Sequence, residues 1–192
     1  MSTIHSFTLG GTADTALGVE LQSTYQEPIL PPTRDRTATI PGRQGMVVFS
    51  SDLDAREITL DLAMIESHTA AALQAVVRAF AQVLLDKTGK PKDVALVFVK
   101  EPTKTYTVRY TGNLPLARLI GDSWGEFTLP LMAPDPYAYG ESVQTRATVT
   151  TSPQTVTVTN GGDYATPPVI QLKNNGGAGI AGITLTVTAL KE

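Results

Sequence analysis

Glycines, histidines and carboxylates are the residue types in this 192-residue chain from which chemistry is most often built. Gly177-x-Gly179-x-x-Gly182, inside Asn174–Gly182, has the spacing of a dinucleotide-phosphate loop. That loop works when a helix follows it, so that the backbone N–H groups of the helix N-terminus meet the pyrophosphate. Here the sequel is Ile183-Thr184-Leu185-Thr186-Val187, whose period of two predicts a strand, so the glycines read as a flexible β-turn. His5 and His68 are the only histidines; neither has a metal-ligand spacing, and both read as solvated. Asp52, Asp54 and Glu57 cluster in SSDLDARE without the glycine and terminal glutamate of a calcium loop, which predicts a solvated turn. Asp61 and Glu66 lie on or beside the outer face of one strand, with no carboxylate opposed across a cleft as glycosidase chemistry requires. Cysteine is absent, which removes thiol nucleophiles, thiolate metal sites and disulfides. No catalytic constellation, cofactor or metal site is expected, and the chain does not read as an enzyme.

Arg34, Arg36 and Arg43 form a different kind of group. They sit on a proline-rich stretch, Gln26–Asp35, and on a hairpin in which Thr37–Ile40 and Met46–Phe49 are joined by Pro41-Gly42-Arg43-Gln44-Gly45. Three arginines on a protruding arm have no obvious use within one domain. They are either solubilising or part of a contact, and arginine is enriched in interfaces, where its fork grips the carboxylates that an acidic protein supplies. A subunit interface built on Arg34, Arg36, Ile40, Pro41, Arg43 and Met46 is the expectation.

The elements that would position these residues are mostly strands. Ile4–Leu9 and Val19–Tyr25 are strand-like, separated by Gly10-Gly11. Arg56–Ile65 is the clearest strand, with Ile58, Leu60, Leu62 and Met64 on one face and Glu57, Thr59, Asp61 and Ala63 on the other. The period then changes. Thr69–Lys87 predicts one amphipathic helix with the stripe Leu73, Val76, Val77, Phe80, Leu84, capped by Ser67 and ended near Gly89 and Pro91. Val94–Val99 and Thr105–Thr111 form a hairpin, and Ser123–Leu131 closes the first domain. Charged residues are 17% of the chain, below the usual share of roughly a quarter, and threonine takes many of their places, as suits the wet side of β-strands.

The net charge of −3 carries no basic footprint for nucleic acid. The N-terminus lacks the basic and apolar regions of a signal peptide, and no stretch is long and apolar enough to span a membrane, so a soluble, cytosolically made protein is expected.

Trp124–Gly140, WGEFTLPLMAPDPYAYG, starts as a strand with Phe127, Leu129 and Leu131 on one face and stops at Pro134-Asp135-Pro136. Two prolines one residue apart remove two donors and bias their predecessors away from helix. Asp135, Pro136, Tyr137 and Tyr139 are therefore the expected interdomain hinge. The boundary falls between domains 1–138 and 139–192. Beyond it, Ser142–Thr151, Thr155–Thr159, Val169–Lys173 and Ile183–Leu190 predict about four strands in roughly 50 residues, near the lower limit for independent stability.

The arm Arg36-x-x-x-Ile40-Pro41-Gly42-Arg43-x-Gly45, a strand at Ile58–Met64, one helix, a strand at Tyr106–Tyr110 and the ending Asp135-Pro136-Tyr137-Ala138-Tyr139 occur in an order that resembles the distal tail protein (Dit) family. That family belongs to long-tailed, siphophage-type bacteriophages and related prophage or gene-transfer particles. The resemblance covers about the first 140 residues well and the rest loosely. It implies an α+β, mainly β protein: an N-terminal β-sandwich ring domain with one packed helix and the arm, then a small all-β, barrel- or sandwich-like domain of galectin-like or OB-like type. It also implies a homohexameric virion ring at the tail tip that joins the tail tube to the tail-tip or baseplate hub and receptor-binding proteins. In such a ring the Thr37–Phe49 arm reaches the adjacent subunit and DNA passes through the lumen without specific binding. Six copies at −3 would carry about −18, which suits a lumen that DNA slides through. The second segment is shorter than the ~100 residues of a full sandwich. The alternative, a carbohydrate-binding β-sandwich adhesin, needs aromatic platforms, and Tyr164 is the only aromatic after Gly140.

Overall fold

The computed structural model describes residues 6–25, 28–64, 69–119 and 124–188. It divides into two compact units, Met1–Val143 and Gln144–Glu192.

The first unit is built on antiparallel strands: β1 (Phe7–Leu9), β2 (Thr12–Ala13), β3 (Val19–Leu21), β4 (Thr33–Ala38), β5 (Val47–Leu53), β6 (Arg56–Met64), β7 (Asp93–Phe98), β8 (Tyr106–Tyr110), β9 (Ala117–Leu119) and β10 (Trp124–Ala133). One helix, α1 (Ala70–Leu84), lies between β6 and β7. Seven strands pair in the order β2-β1-β7-β8-β10-β6-β3, β9 adds to β10, and β4-β5 stand as a separate hairpin.

The sheet has to curl. Laid flat, its outer strands β2 and β3 would be about 29 Å apart at ~4.8 Å per strand. Yet only residues 14–18 connect them, a reach of about 20 Å even fully extended, and Thr15–Leu17 of that link is a 3-10 turn. Asp14 fastens the turn and is the only buried charged residue among those described. Its carboxylate accepts from the Ser6 hydroxyl at 2.9 Å, the Thr15 N–H at 2.7 Å and the Phe7 N–H at 3.4 Å. This closure replaces the sandwich expected from the resemblance: one curled sheet encloses the core, where two facing sheets were anticipated.

Alternation decides which side chains line that core. Ile58, Leu60, Leu62 and Met64 of β6 are buried, as are Phe127, Leu129, Leu131 and Ala133 of β10. These two strands share the longest ladder, from Glu126 opposite Ala63 to Ala133 opposite Arg56. Pro130 keeps its place opposite Thr59 in the β6 ladder and faces β8, where its carbonyl accepts from the Thr111 N–H but no N–H is returned, so the regular β8 register begins at Leu131 opposite Tyr110.

Helix α1 presents Leu73, Phe80 and Leu84 to the core, and Phe80 meets Phe127 edge-on with ring centroids 5.3 Å apart. Thr69 caps it, accepting from the Ala72 N–H at 3.2 Å; Ser67, the expected cap, lies outside the described residues, as do His5, Glu66 and His68. The helix stops at Leu84 rather than Lys87. Leu85 is extended, and the Asp86 carboxylate gathers the N–H groups of Thr88 and Lys90 and the Thr88 hydroxyl, a local turn that competes with the helix. β1 and β3, the two N-terminal strands expected, do not pair with each other. Gly10 and Gly11, at φ of +59° and +81°, turn β1 back onto β2, while β3 joins β6.

In the second unit no helix or strand forms among the described residues, so the four expected strands are irregular there and have no ladder partners. Their apolar side chains are exposed, Val158 at 60% and Val169 at 91%. Local order comes from side-chain amides. Asn160 accepts from the Gly162 N–H and donates to the Tyr164 carbonyl; Asn174 does the same with Gly176 and Ala178.

Candidate functional site

No group of three or more His, Asp or Glu is placed to hold a metal among the described residues. Asp52 lies in β5 rather than in a turn, opposite Arg34, because the arm's ladder runs further than the short strands expected. Asp54 caps the tight link to β6 by accepting from the Ala55 N–H. Asp61 takes a hydrogen bond from the Thr128 hydroxyl at 2.8 Å, so its partner across the sheet is an alcohol. Among the described residues no helix follows the Gly177–Gly182 loop. No described helix is long and apolar enough to cross a membrane.

All six residues expected at the subunit interface lie on the one hairpin formed by β4 and β5 with its tip. Thr33 pairs with Leu53 and Ala38 with Val47, and the register slips between Arg36 and Thr37, leaving Phe49 as the extra residue of a bulge. The tip is a turn in which the Arg43 N–H donates to the Ile40 carbonyl, with Gly42 and Gly45 at positive φ. Neither side of this hairpin is covered. Arg34, Arg36 and Arg43 are exposed, and so are Ile40 (47%), Met46 (64%), Val48 and Phe49 (72%). One ion pair, Arg36 with Asp52 at 3.9 Å, is itself exposed and contributes little. Ser51 donates to Asp35 on the opposite side.

Asp135, Pro136, Tyr137 and Tyr139 form a second, separate group, laced to the sheet. Tyr139 and Thr105 exchange both backbone hydrogen bonds at 2.8 Å, an isolated antiparallel bridge. Asp135 accepts from the Tyr137 N–H at 3.2 Å and from the Tyr139 hydroxyl at 2.6 Å. That bond, followed by the Asp135 charge, raises the Tyr139 phenol above its ordinary value.

Arg56, which the sequence reading passed over as the start of a strand, is the residue that serves both groups. Its Nη1 donates to the Pro28 carbonyl in the arm's lead-in at 2.7 Å, and its Nε donates to the Pro136 carbonyl at 3.1 Å. The guanidinium also stands 5.4 Å from the centre of the Tyr106 ring. Proline brackets both segments it grips. A fork of five donors is what fastens two carbonyls that no ladder satisfies, and that is the only signal the sequence offers.

A model of the phage tail protein RIFT-related domain matches residues 15–133, from the 3-10 turn to the last residue of β10. The chain belongs to the phage tail protein RIFT-related domain family. The match contains strands β3 to β10, the helix and the arm of this tail protein, and ends where the Pro134-Asp135-Pro136 segment begins. The crystal structure of SPP1 Dit (gp 19.1), described as a paradigm of the hub adsorption apparatus in Gram-positive infecting phages, has a similar fold. The TM-score is 0.54 at 24% identity, over 72% of this chain and 53% of that one. The tail protein thus spans about half the length of that Dit chain. No curated protein matches its sequence.

Proposed function

We propose that this tail protein is a non-enzymatic structural hub. It forms a homohexameric ring at the distal end of the tail and joins the tail tube to the tail-tip or baseplate hub and receptor-binding proteins, while DNA passes through the lumen without specific binding. In this reading residues 1–138 are the ring domain and residues 139–192 a small outer β-domain, with Asp135–Tyr139 as the joint. The alternating runs at 155–159, 169–173 and 183–187, and the matching clasps of Asn160 and Asn174, support a β character for that outer part.

The observation that carries the proposal is the bare arm. A two-stranded hairpin is at best marginally stable alone in water, and this one leaves Ile40, Met46, Val48 and Phe49 exposed beside three arginines. Apolar side chains with an arginine rim are the make-up of a protein interface. A closed ring needs a protrusion that meets a different patch on the next copy, and the arm is such a protrusion. The Dit-like fold of the rest supports the same assignment.

Light scattering after size exclusion, across a range of concentrations, tests it. The expected mass is about six times the 20.4 kDa of one chain. Arg43→Glu is expected to shift that mass towards the single chain while the far-ultraviolet circular dichroism stays that of the folded protein. A monomer at every concentration would count against the ring.

A further inference from the structure

The outward side of the curled sheet is electrostatically divided. On β7 and β8 the outward charges cancel: Arg109 grips Asp93 with two hydrogen bonds, at 2.8 and 3.0 Å, which hold the guanidinium above its ordinary pKa. On β3, β6 and β10 the outward charges are Glu20, Glu57, Asp61 and Glu126, and no outward lysine or arginine lies on those strands among residues with described side chains.

The registers bring three of these carboxylates close together. Ala63 is opposite Glu20 on one side and opposite Glu126 on the other, with Asp61 two residues along the same strand. Neighbouring like charges on one sheet face are destabilising, and none of the four forms an ion pair among the described residues. Between them the face is apolar or small: Ala63, Pro130 and Met132 are half-buried, with Met132 opposite Glu57.

The arm has the complementary arrangement. Its apolar Ile40, Met46, Val48 and Phe49 are accompanied by Arg34, Arg36 and Arg43; Asp35 and Asp52 offset two of these charges at the base of the hairpin, and Arg43, the only charged residue from 37 to 49, leaves the tip positive. We infer that the outward face of β3-β6-β10 is the surface on which the arm of a second copy of this chain docks. Met46 and its apolar neighbours lie on the Pro130–Met132 strip, and the arginines reach the surrounding carboxylates. This rests on the ring reading above and names the patch that reading requires. The pairing is heterologous, arm to face, so each copy gives one and receives one, the type of contact from which a ring is built when its rotation closes. Arginine's planar fork suits carboxylates held in fixed rows on a sheet.

A charge-swap series on the full chain tests the inference, read as mass by light scattering. Glu20→Lys with Glu126→Lys is expected to reduce the assembly to monomer. Arg34→Glu with Arg36→Glu and Arg43→Glu is expected to do the same. Mixing the two variants should restore a complex that neither forms alone, since the swapped face then meets the swapped arm. Thermal melts of each variant control for misfolding, and Glu20→Gln with Glu126→Gln, which keeps shape and loses charge, supplies a milder version expected to weaken assembly several-fold. If the wild type assembles and the face variants assemble equally well, this surface is not the receiver and the docking inference fails while the ring stands. A wild type that is monomeric throughout removes both.

Discussion

β6 and the run at residues 155–159 have the same kind of sequence and opposite fates. Ile58, Leu60, Leu62 and Met64 alternate with polar residues and are at most 2% exposed, while Val156 and Val158 alternate with threonine and are 46% and 60% exposed. β6 has β10 on one side, β3 on the other and a core beneath it. The 155–159 run has no ladder partner among the described residues. Alternation states which side chains can be buried together; a strand and a layer supplied from elsewhere decide whether they are.

The sharpest way to break this comparison is to truncate one side chain from each region and unfold the variants in urea. Leu60→Ala is expected to cost about 2–5 kcal/mol, because a fully buried leucine leaves a cavity when removed. Val158→Ala should stay within about 0.5 kcal/mol, as for an exposed site. Equal losses would mean that the second unit has a core of its own.

Arg56→Ala should come next, at about 1–3 kcal/mol for two carbonyls left without their charged donor. It is also expected to speed proteolysis between Pro134 and Gly140. Unchanged cleavage would show that the Thr105–Tyr139 bridge holds that segment unaided.

Thr69→Ala removes the cap of the single helix and should lower stability by about 1 kcal/mol in the same assay. An effect near zero would place the helix among elements held by packing alone.

The smallest effect is one of pH. The Tyr139 phenol is raised in the folded state by its bond to Asp135. Its contribution is therefore fully present below the ordinary tyrosine value of 10.0 and lost as pH rises through the higher folded value. Alkaline absorbance titration of wild type against Tyr139→Phe should show the late-titrating phenol vanish in the variant. A phenol that titrates at the ordinary value would remove Asp135 as its partner.

Much of this architecture was readable because its signals are local. β6, β10 and α1 announce themselves by period, and the arm by its Pro-Gly-Arg-Gln-Gly connection. The 3-10 turn around Asp14 was missed because a short polar link shows no period; only its position between the two ends of the sheet makes it a closure. Arg56 was missed for a related reason. Its partners, Pro28 and Pro136, are 28 and 80 residues away in the chain. The arm's residues were found together by sequence because they are neighbours in it, whereas Glu20, Asp61 and Glu126 become neighbours only in the sheet.

By itself the sequence determined the fold class of this protein: alternating runs, one 3.6-period stretch and two prolines ending β10. Tertiary structure alone decided that β3 flanks β6, that the sheet curls instead of stacking as a sandwich, and that four carboxylates share one outward face. The reason is physical. Side-chain period is a property of consecutive residues, whereas ladder order and charge neighbourhood depend on which distant strands the closing turn at Asp14 draws together.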